Sequence, residues 1–261
     1  MHRFCRYVCL AVTSLFVAGC VTDVSFRNAN LGVRNDIPVQ TVSGLFAKPD
    51  GKGPFPAVVL LHTCGGVLPH VSDDWPNFLT GHGIATLTVD TFGSRGAGRC
   101  PEAREFGGVH MWRDAYGALD YLANRPDIDG SRIGVMGFSL GASAVEAIAG
   151  HKLKSPENRN FRAGISLYGQ CVIDGTPTFP ILFLIGDQDR NSASCPSPPG
   201  PGVSVEILKG ATHAFDNTVL TSRRIVSGGH SSIYDADATE KARRIALAFL
   251  GKQMGVAAAA K

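Results

Sequence analysis

Short runs of apolar residues alternate with amphipathic stretches along most of the chain. These runs predict β-strands over residues 55–62, 84–90, 132–137, 161–168, 180–186 and 203–209. The run over residues 55–62 is continuously apolar, and it and the run over residues 84–90 are typical of strands that are buried on both faces. Stretches that predict helices lie between and after them, over residues 73–81, 109–124, 140–150 and 237–253. Strands that alternate with helices predict an α/β fold with a mostly parallel central sheet and helices on both faces. In sheets of this kind, functional residues collect at the carboxyl ends of the strands.

The size and charge of the chain limit its organisation. It has 261 residues, of which 44% are hydrophobic and 18% are charged, which is enough for one sizeable core but short for two domains. Residues 21–38 are polar and irregular in pattern, so we interpret residues 20–38 as a tether before a single domain over residues 39–261. The formal net charge is +3 with no basic stripe, so nucleic acid is not an expected partner. The pattern indicates no particular oligomeric state.

The first 19 residues have the pattern of an export signal. Arg3 and Arg6 form a positive start, and an apolar run over residues 7–17 is too short to span a bilayer. The run ends in VAGC, which resembles the lipobox of bacterial lipoproteins, so Cys20 is the expected lipidation site. Because Val21 and not Asp follows that cysteine, the resemblance implies a lipid anchor in the outer membrane and a periplasmic domain. An ordinary signal peptide with an incidental cysteine is the alternative.

Export changes the interpretation of the remaining cysteines. Cys64, Cys100, Cys171 and Cys195 form an even set in an oxidising compartment, and they allow three disulfide pairings. We favour Cys64–Cys100 and Cys171–Cys195, because each pair follows neighbouring strands at one edge of the predicted sheet. Buried free thiols are the alternative. No C-x-x-C or H-x-x-x-H spacing is present, so we predict no metal site.

The sequence GFSLG, centred on Ser139, carries the main chemical signal. A strand pattern precedes it and a helix rich in small residues follows it, which predicts a strand–turn–helix that exposes the Ser139 hydroxyl above the sheet. The glycines suit a tight turn with close neighbours. A serine that merely caps the helix is the alternative.

A serine hydroxyl needs a base to become a nucleophile, and the base needs a carboxylate to orient it. His213 lies in the loop GATHAF after the last predicted strand, in the expected order after the serine and an acid. Asp187 and Asp189 both follow the strand ILFLIG, and either could hold His213; a plain surface turn is the alternative for both. We assign the other histidines to the signal, to surfaces or to a polar run: His2, His70, His82, His110, His151 and His230.

Acyl transfer also needs N–H donors for the oxyanion that develops on the substrate. We expect one donor at the backbone of Leu140, directly after the nucleophile. We expect the other at the backbone of Cys64 in the sequence HTCGG, with Thr63 as the neighbouring alternative. His62 is expected to be structural.

Together, the motifs HTCGG, VDTFGSRG, GFSLGA, LIGDQD and GATHAF resemble the dienelactone hydrolase family over about residues 40–250. The resemblance implies an α/β-hydrolase fold, a monomer or small oligomer, no cofactor, and a small ester or lactone as substrate. Its G-x-x-D spacing favours Asp189 over Asp187 as the acid. Dienelactone hydrolases proper use a cysteine nucleophile where this chain has Ser139, so their own substrate is not carried over. Arg95, in VDTFGSRG, could bind a substrate carboxylate or pair with Asp90.

The sequence therefore favours a serine hydrolase that cleaves an ester or lactone through an acyl-enzyme on Ser139. A serine peptidase or acyltransferase on the same fold is one alternative. A catalytically degenerate lipoprotein that binds envelope partners is another, although the presence of serine, acid and histidine argues against it. We expect the loops at residues 68–74, 95–108 and 192–202 to shape the substrate pocket.

Overall fold

The computed structural model describes residues 21–100, 106–226 and 229–256. One eight-stranded sheet dominates it, with strands β1 (Thr22–Arg27), β2 (Thr41–Ala47), β3 (Phe55–Leu61), β4 (Ala85–Asp90), β5 (Ile128–Phe138), β6 (Gly164–Leu167), β7 (Ile181–Gly186) and β8 (Val203–Leu208). Two short strands, β9 (Arg224–Ile225) and β10 (Ser231–Ser232), form a separate antiparallel pair. The predicted α/β fold with a mostly parallel sheet is confirmed.

The strand order is β1-β2-β4-β3-β5-β6-β7-β8. The strands from β4 to β8 pair in parallel, whereas β2 pairs antiparallel with both β1 and β4. Residues 57–61 of β3 are completely buried, because a central parallel strand is covered on both of its faces. Such burial explains why these strands read as continuous apolar runs.

Within the described ranges, four α-helices pack on the sheet: α1 (Trp75–Thr80), α2 (Val109–Ala123), α3 (Leu140–Gly150) and α4 (Ala236–Met254). A π-helical turn over His70–Asp74 leads into α1, and 3₁₀ turns occupy Gly93–Arg95 and Arg190–Ser194. Helices α2 and α3 contact each other, and α4 reaches α1 through Arg243, which lies over the rings of Trp75 and Phe78. All four predicted helices are therefore present.

The antiparallel edge of the sheet was not predicted. The expectation that residues 21–38 are irregular is wrong over β1, which pairs with β2 along its full length. Strand β1 is an edge strand and β2 is its neighbour, and both contain exposed as well as buried positions, so they lack the continuous apolar run of a central strand. The strand expected over residues 161–168 is shorter, and only Gly164–Leu167 pairs as β6.

The structure contains the two favoured disulfides. Cys64 bonds to Cys100, with their Cα atoms 5.2 Å apart, and Cys171 bonds to Cys195, with their Cα atoms 4.7 Å apart. The first bridge joins the segments that follow β3 and β4, and the second joins those that follow β6 and β7. Both therefore cross-link loops at the carboxyl ends of neighbouring or near-neighbouring strands.

The proposed export signal over residues 1–19 and the lipidation site Cys20 lie outside the described residues. Within the described ranges, no helix combines the length and apolar character needed to cross a membrane.

Candidate active site

Ser139 occupies the sharp turn between β5 and α3. Strand β5 ends at Phe138 and helix α3 begins at Leu140, which leaves a single residue to reverse the chain direction. Ser139 meets this demand with φ 53° and ψ −106°, a left-handed conformation that costs a non-glycine residue about 1–3 kcal/mol. Such strain is characteristic of functional positions, and here it lifts the Ser139 hydroxyl above the carboxyl edge of the sheet.

The two glycines that flank Ser139 permit this turn to be packed closely. A Cβ atom on Gly137 would collide with the carbonyl group of Gly141, and a Cβ atom on Gly141 would collide with the carbonyl oxygen of Leu61. The close approach lets the Gly141 N–H donate to the His62 carbonyl at 3.1 Å. The start of α3 is thus tied to the end of β3, the strand that precedes the expected oxyanion loop.

Ser139, His213 and Asp189 form a connected chain of hydrogen bonds. Ser139 Oγ lies 2.9 Å from His213 Nε2, and His213 Nδ1 lies 2.6 Å from Asp189 Oδ2. An ionised carboxylate can only accept hydrogen bonds, so Nδ1 carries the proton in the neutral imidazole. Nε2 is then an acceptor and receives the hydrogen bond from Ser139 Oγ. This is the tautomer that a general base requires.

Asp189 is held as a buried, ionised acceptor. Burial of its side chain disfavours the charge, but the hydrogen bond from His213 and the backbone N–H of Asn191 at 3.1 Å outweigh burial and hold the pKa of Asp189 below its usual range. Asp187 is arranged differently, because it is exposed and its Oδ1 accepts the Gly210 N–H at 2.8 Å. Of the two candidate acids, the structure therefore brings only Asp189 to His213.

A buried polar network supports the far side of His213. The Tyr168 ring lies edge-on to His213 with centroids 5.0 Å apart, and its hydroxyl donates to Asp216 at 2.8 Å. Trp75 Nε1 donates to the other Asp216 oxygen at 2.7 Å. Burial raises the pKa of Tyr168 well above its usual value, so the phenol keeps its proton and remains a donor. The His213 imidazole therefore packs against a Tyr168 ring whose position is fixed by its hydrogen bond to Asp216, a carboxylate that Trp75 also holds.

The two expected oxyanion residues, Leu140 and Cys64, line the same pocket as Ser139. Leu140 is the first residue of α3, so its N–H has no acceptor within the helix. In the part of the chain that the structure describes, the Cys64 N–H donates to no carbonyl, while the Cys64 carbonyl accepts the Cys100 N–H at 2.8 Å. Thr63 Oγ1 accepts the Gly65 N–H at 3.0 Å, which leaves the Thr63 backbone N–H as the neighbouring alternative. These contacts leave the backbone N–H groups of Cys64 and Leu140 available at the pocket.

Ser139 opens into a pocket of about 580 Å³, a size that suits a small organic ligand. Its floor contains Ser139, His213 and both candidate oxyanion residues. Of the loops expected to shape it, residues 68–74 contribute Leu68 and residues 95–108 contribute Arg99 and Cys100, but residues 192–202 contribute nothing. The missing wall comes instead from the segment after His213, with Ala214, Asn217, Val219, Leu220, Arg224 and Val226.

Arg95 is not positioned as the sequence suggested. Its guanidinium is buried and forms a bidentate ion pair with Asp114, at 2.8 and 2.9 Å, and it also donates to the Thr91 carbonyl at 2.7 Å. Of the two alternatives for Arg95, the pairing with Asp90 is wrong, since the partner is Asp114, and Arg95 is not among the described residues that line the pocket. Asp114 lies in α2, too far along the chain for the pairing to be read from local sequence.

Two other histidines are buried inside the fold. His62 is structural, as expected, and its Nδ1 donates to the Thr63 carbonyl at 2.8 Å. The expectation that His70 lies on a surface is wrong, because the side chain is completely buried against the Phe138 ring. Burial lowers the pKa of both histidines, so each is held in its neutral form.

His230 is a site residue that the sequence did not indicate. Its Nδ1 lies 3.0 Å from Asp189 Oδ1, and its ring stacks on His213 with centroids 4.0 Å apart and planes 30° apart. It was assigned to a polar run because nothing local marks it. A backbone bridge between His213 and Ser232 brings the segment to the site, and such pairing is a tertiary feature.

Among the described residues, one group of side chains has the spacing of metal ligands, with its ligand atoms within 4.8 Å of one another. It consists of Asp189, His213 and His230. Both carboxylate oxygens already accept imidazole N–H groups. The hydrogen bonds of the two imidazoles to the Asp189 carboxylate therefore account for the cluster.

Comparison with known proteins places this geometry in context. The model of the dienelactone hydrolase family matches residues 42–254. No curated protein matches the chain.

Similar solved structures share the fold at low identity. A dienelactone hydrolase-like promiscuous phosphotriesterase from metagenomic libraries is 21% identical with a TM-score of 0.67, over 91% of this chain and 100% of that one. The dienelactone hydrolase of Anabaena variabilis is 16% identical with a TM-score of 0.63, over 91% and 99%. An esterase of Pyrobaculum calidifontis is 17% identical with a TM-score of 0.62, over 91% and 86%.

Proposed function

The chain belongs to the dienelactone hydrolase family, and from this premise we propose that it is a serine hydrolase that cleaves a small ester or lactone through an acyl-enzyme. The observation that carries the proposal is the hydrogen-bonded line from Ser139 through His213 to Asp189 at the floor of a pocket. Ser139 stands where the family's namesake enzymes have cysteine, so the leading substrates are simple esters and lactones.

The reaction follows from the arrangement of the protons. His213 Nε2 takes the proton of Ser139 Oγ as that oxygen bonds to the substrate carbonyl carbon. The negative charge moves to the carbonyl oxygen, where the N–H groups of Leu140 and Cys64 stabilise it. Asp189 stabilises the imidazolium without taking its proton. His213 then returns that proton to the leaving oxygen as the ester bond breaks.

Water completes the cycle. His213 Nε2 removes a proton from a water molecule, whose oxygen attacks the acyl carbon of the acyl-enzyme, and the Ser139 oxygen leaves with the proton from His213. When the substrate is a lactone, the leaving oxygen remains part of the acyl chain, so the product is a single hydroxy acid. No cofactor is required for any of these steps.

Active-site labelling with a fluorophosphonate probe tests the proposal. Wild-type protein is expected to become covalently labelled, and Ser139→Ala and His213→Ala are expected to abolish the labelling while the far-UV circular dichroism stays unchanged. Ser143→Ala is the matched control, since Ser143 lies one helical turn beyond Ser139 and should leave the label in place. Failure of the folded wild type to label would favour a degenerate binding protein, and hydrolysis of peptides in preference to esters would favour a peptidase.

We also propose that Cys20 carries a lipid that anchors the domain in the cell envelope. The support is the positive, apolar and VAGC pattern of the first residues. Mass spectrometry of protein expressed with its full leader should find the mature chain beginning at an acylated Cys20, and Cys20→Ser should release it from membranes. Mature protein without acylation would indicate an ordinary signal peptide.

A further inference from the structure

We propose that His230 is a positioning residue for catalysis, acting through the triad acid Asp189; the inference rests on the proposed function. The geometry makes Asp189 the shared acceptor of two imidazoles. His213 Nδ1 lies 2.6 Å from Oδ2 and His230 Nδ1 lies 3.0 Å from Oδ1. His230 therefore completes the coordination of the carboxylate on the side that His213 leaves open.

The protonation of His230 follows from its surroundings. Burial lowers the pKa of His230, and the neighbouring His213 and Arg190 act in the same direction, while Asp189 opposes them. The ring is therefore neutral near neutral pH. A neutral ring beside a carboxylate acceptor carries its proton on Nδ1, so His230 donates to Asp189 without adding a charge.

Two consequences for Asp189 distinguish His230 from an ordinary packing residue. With the Asn191 N–H, the His230 donor holds Oδ1 in place, so the carboxylate plane cannot rotate and Oδ2 stays directed at His213. The donor also supports a negative charge in a site where the Asp189 side chain is completely buried. Both effects favour the orientation that a reacting His213 needs.

The stacked ring adds a restraint on His213 itself. The two imidazoles are stacked with their planes tilted by 30° and their centroids 4.0 Å apart, and the Tyr168 ring packs edge-on against His213 with centroids 5.0 Å apart. Between these rings, His213 has little freedom to turn away from Ser139. His230 thus acts on the base directly by packing and through the acid by hydrogen bonding.

Substitutions can separate these two contributions. His230→Leu removes both the donor and the aromatic ring, whereas His230→Asn keeps an N–H donor near the position of Nδ1. We expect His230→Leu to lower kcat for p-nitrophenyl acetate about 10- to 100-fold, the loss usual for partners that orient a reacting ligand. We expect His230→Asn to recover most of that loss, with KM within about threefold of wild type in both variants.

A double-mutant cycle with Asp189→Asn tests the route of the effect. If His230 acts mainly through Asp189, His230→Leu should change the labelling rate less than about threefold in the Asp189→Asn background, because residues that act as a unit are not additive. Arg223→Ala is the matched control for the loop, since Arg223 bonds Ser231 Oγ at 2.7 Å without contacting Asp189. Its kcat should stay near that of wild type.

The outcomes decide between three readings of His230. A change in KM alone, with kcat unchanged, would make His230 a substrate contact. An equal loss of kcat in His230→Asn and His230→Leu, or full additivity with Asp189→Asn, would show that the hydrogen bond to Asp189 does not cause the effect. Each of these outcomes overturns the inference and leaves the proposed function intact. A wild-type protein that never labels would overturn both. Rescue by asparagine with a non-additive cycle supports the inference.

Discussion

At the scale of single residues, the site depends on the hydrogen bonds that fix the position of each proton around Asp189 and His213. Asp189 accepts from His213, His230 and the Asn191 N–H, so each of its oxygens has a defined donor. That arrangement forces Nδ1 of His213 to carry a proton and leaves Nε2 as the acceptor for Ser139. Asp189, which reaches Ser139 only through His213, therefore helps to determine how readily the serine reacts.

Asp189→Asn should lower kcat/KM far more than Asp187→Asn. Two donors face Oδ1 of Asp189 and only His213 faces Oδ2, so the asparagine oxygen should lie on the first side and its NH2 group should face His213. This favours the wrong tautomer of His213, and the expected loss is about 10³- to 10⁴-fold. Asp187→Asn keeps an oxygen for the Gly210 N–H, so its expected loss is less than about threefold. Steady-state hydrolysis of p-nitrophenyl acetate measures both, and the reverse order would reassign the acid.

His70 should make the protein less stable in mild acid. Burial lowers the pKa of His70 in the folded chain, whereas in the unfolded chain a histidine titrates near about 6.5. As the pH falls below that value, His70 binds a proton in the unfolded chain but not in the folded chain, so the free energy of unfolding decreases. The contribution of His70 to the free energy of unfolding is fully present above the pKa that the residue has in the unfolded chain. It is lost as the pH falls from there towards the pKa in the folded chain, by at most about 1.4 kcal/mol per pH unit.

Urea unfolding at pH 7.5 and pH 5.5 measures this effect, with His70→Leu as the test variant. Leucine cannot titrate and leaves no buried ring nitrogen without a partner, while His70 has two such atoms among the described residues. We expect the variant to lose less stability on acidification than wild type. An equal loss in both proteins would mean that His70 takes up its proton without unfolding.

At the scale of elements, sequence patterns predicted what is locally encoded. The parallel strands β3 to β7 are rich in apolar residues because both of their faces are largely buried, whereas β8 lies at the edge of the sheet and is partly exposed. Helix α3 was placed correctly over residues 140–150 because the GFSLG turn defines its start. The candidate nucleophile, base and acid each follow one of these strands. They could be assigned because a parallel sheet brings its carboxyl ends together.

The features that were missed depend on pairing between distant segments. Strands β9 and β10 have two residues each, too few for any periodicity to be visible, and β10 is what brings His230 beside His213. Likewise Arg95 could not be matched with Asp114, which lies in another element. Local sequence limits the candidates for such contacts, but only the packed chain selects among them.

The disulfide Cys64–Cys100 should contribute to catalysis because Cys64 carries an expected oxyanion donor. Replacing both cysteines by serine frees the loop after β3, and kcat should fall about tenfold, since loss of a whole donor costs about 10²- to 10³-fold. The matched control replaces Cys171 and Cys195, whose bridge holds no expected donor. Both double variants should lose stability, about 2–4 kcal/mol each.

Thermal unfolding and initial rates of ester hydrolysis on the same samples distinguish the two bridges. A fall in kcat specific to the first double variant supports the oxyanion assignment of Cys64. Equal falls in both would indicate that cross-linking of the pocket rim matters in general.

At the scale of the whole molecule, the segment before residue 39 belongs to the fold and does more than connect. Strand β1 closes the edge of the main sheet. Beyond it, the carbonyls of Ala29 and Ile37 accept the buried Arg113 guanidinium. Asn28 donates to Asp114 at 3.2 Å, next to the ion pair with Arg95.

A variant that begins at residue 39 should therefore be much less stable than one that begins at residue 21. It exposes the edge of β2 and removes the carbonyls of Ala29 and Ile37, which accept hydrogen bonds from the Arg113 guanidinium, and each hydrogen bond to a charged group contributes about 1.5–3 kcal/mol. That is a large part of the about 5–15 kcal/mol by which domains are stable. Urea unfolding monitored by circular dichroism measures the difference.

Arg113→Met in the shorter variant separates the two contributions. Methionine removes the guanidinium that has lost its carbonyl partners while keeping an apolar side chain of similar length, so it should recover part of the lost stability, while the open edge of β2 remains. Because Asp114 keeps its ion pair with Arg95, the substitution leaves that carboxylate neutralised. Equal midpoints for the chains that begin at residues 21 and 39 would instead make the segment a dispensable tether, and the boundary of the domain would lie at residue 39.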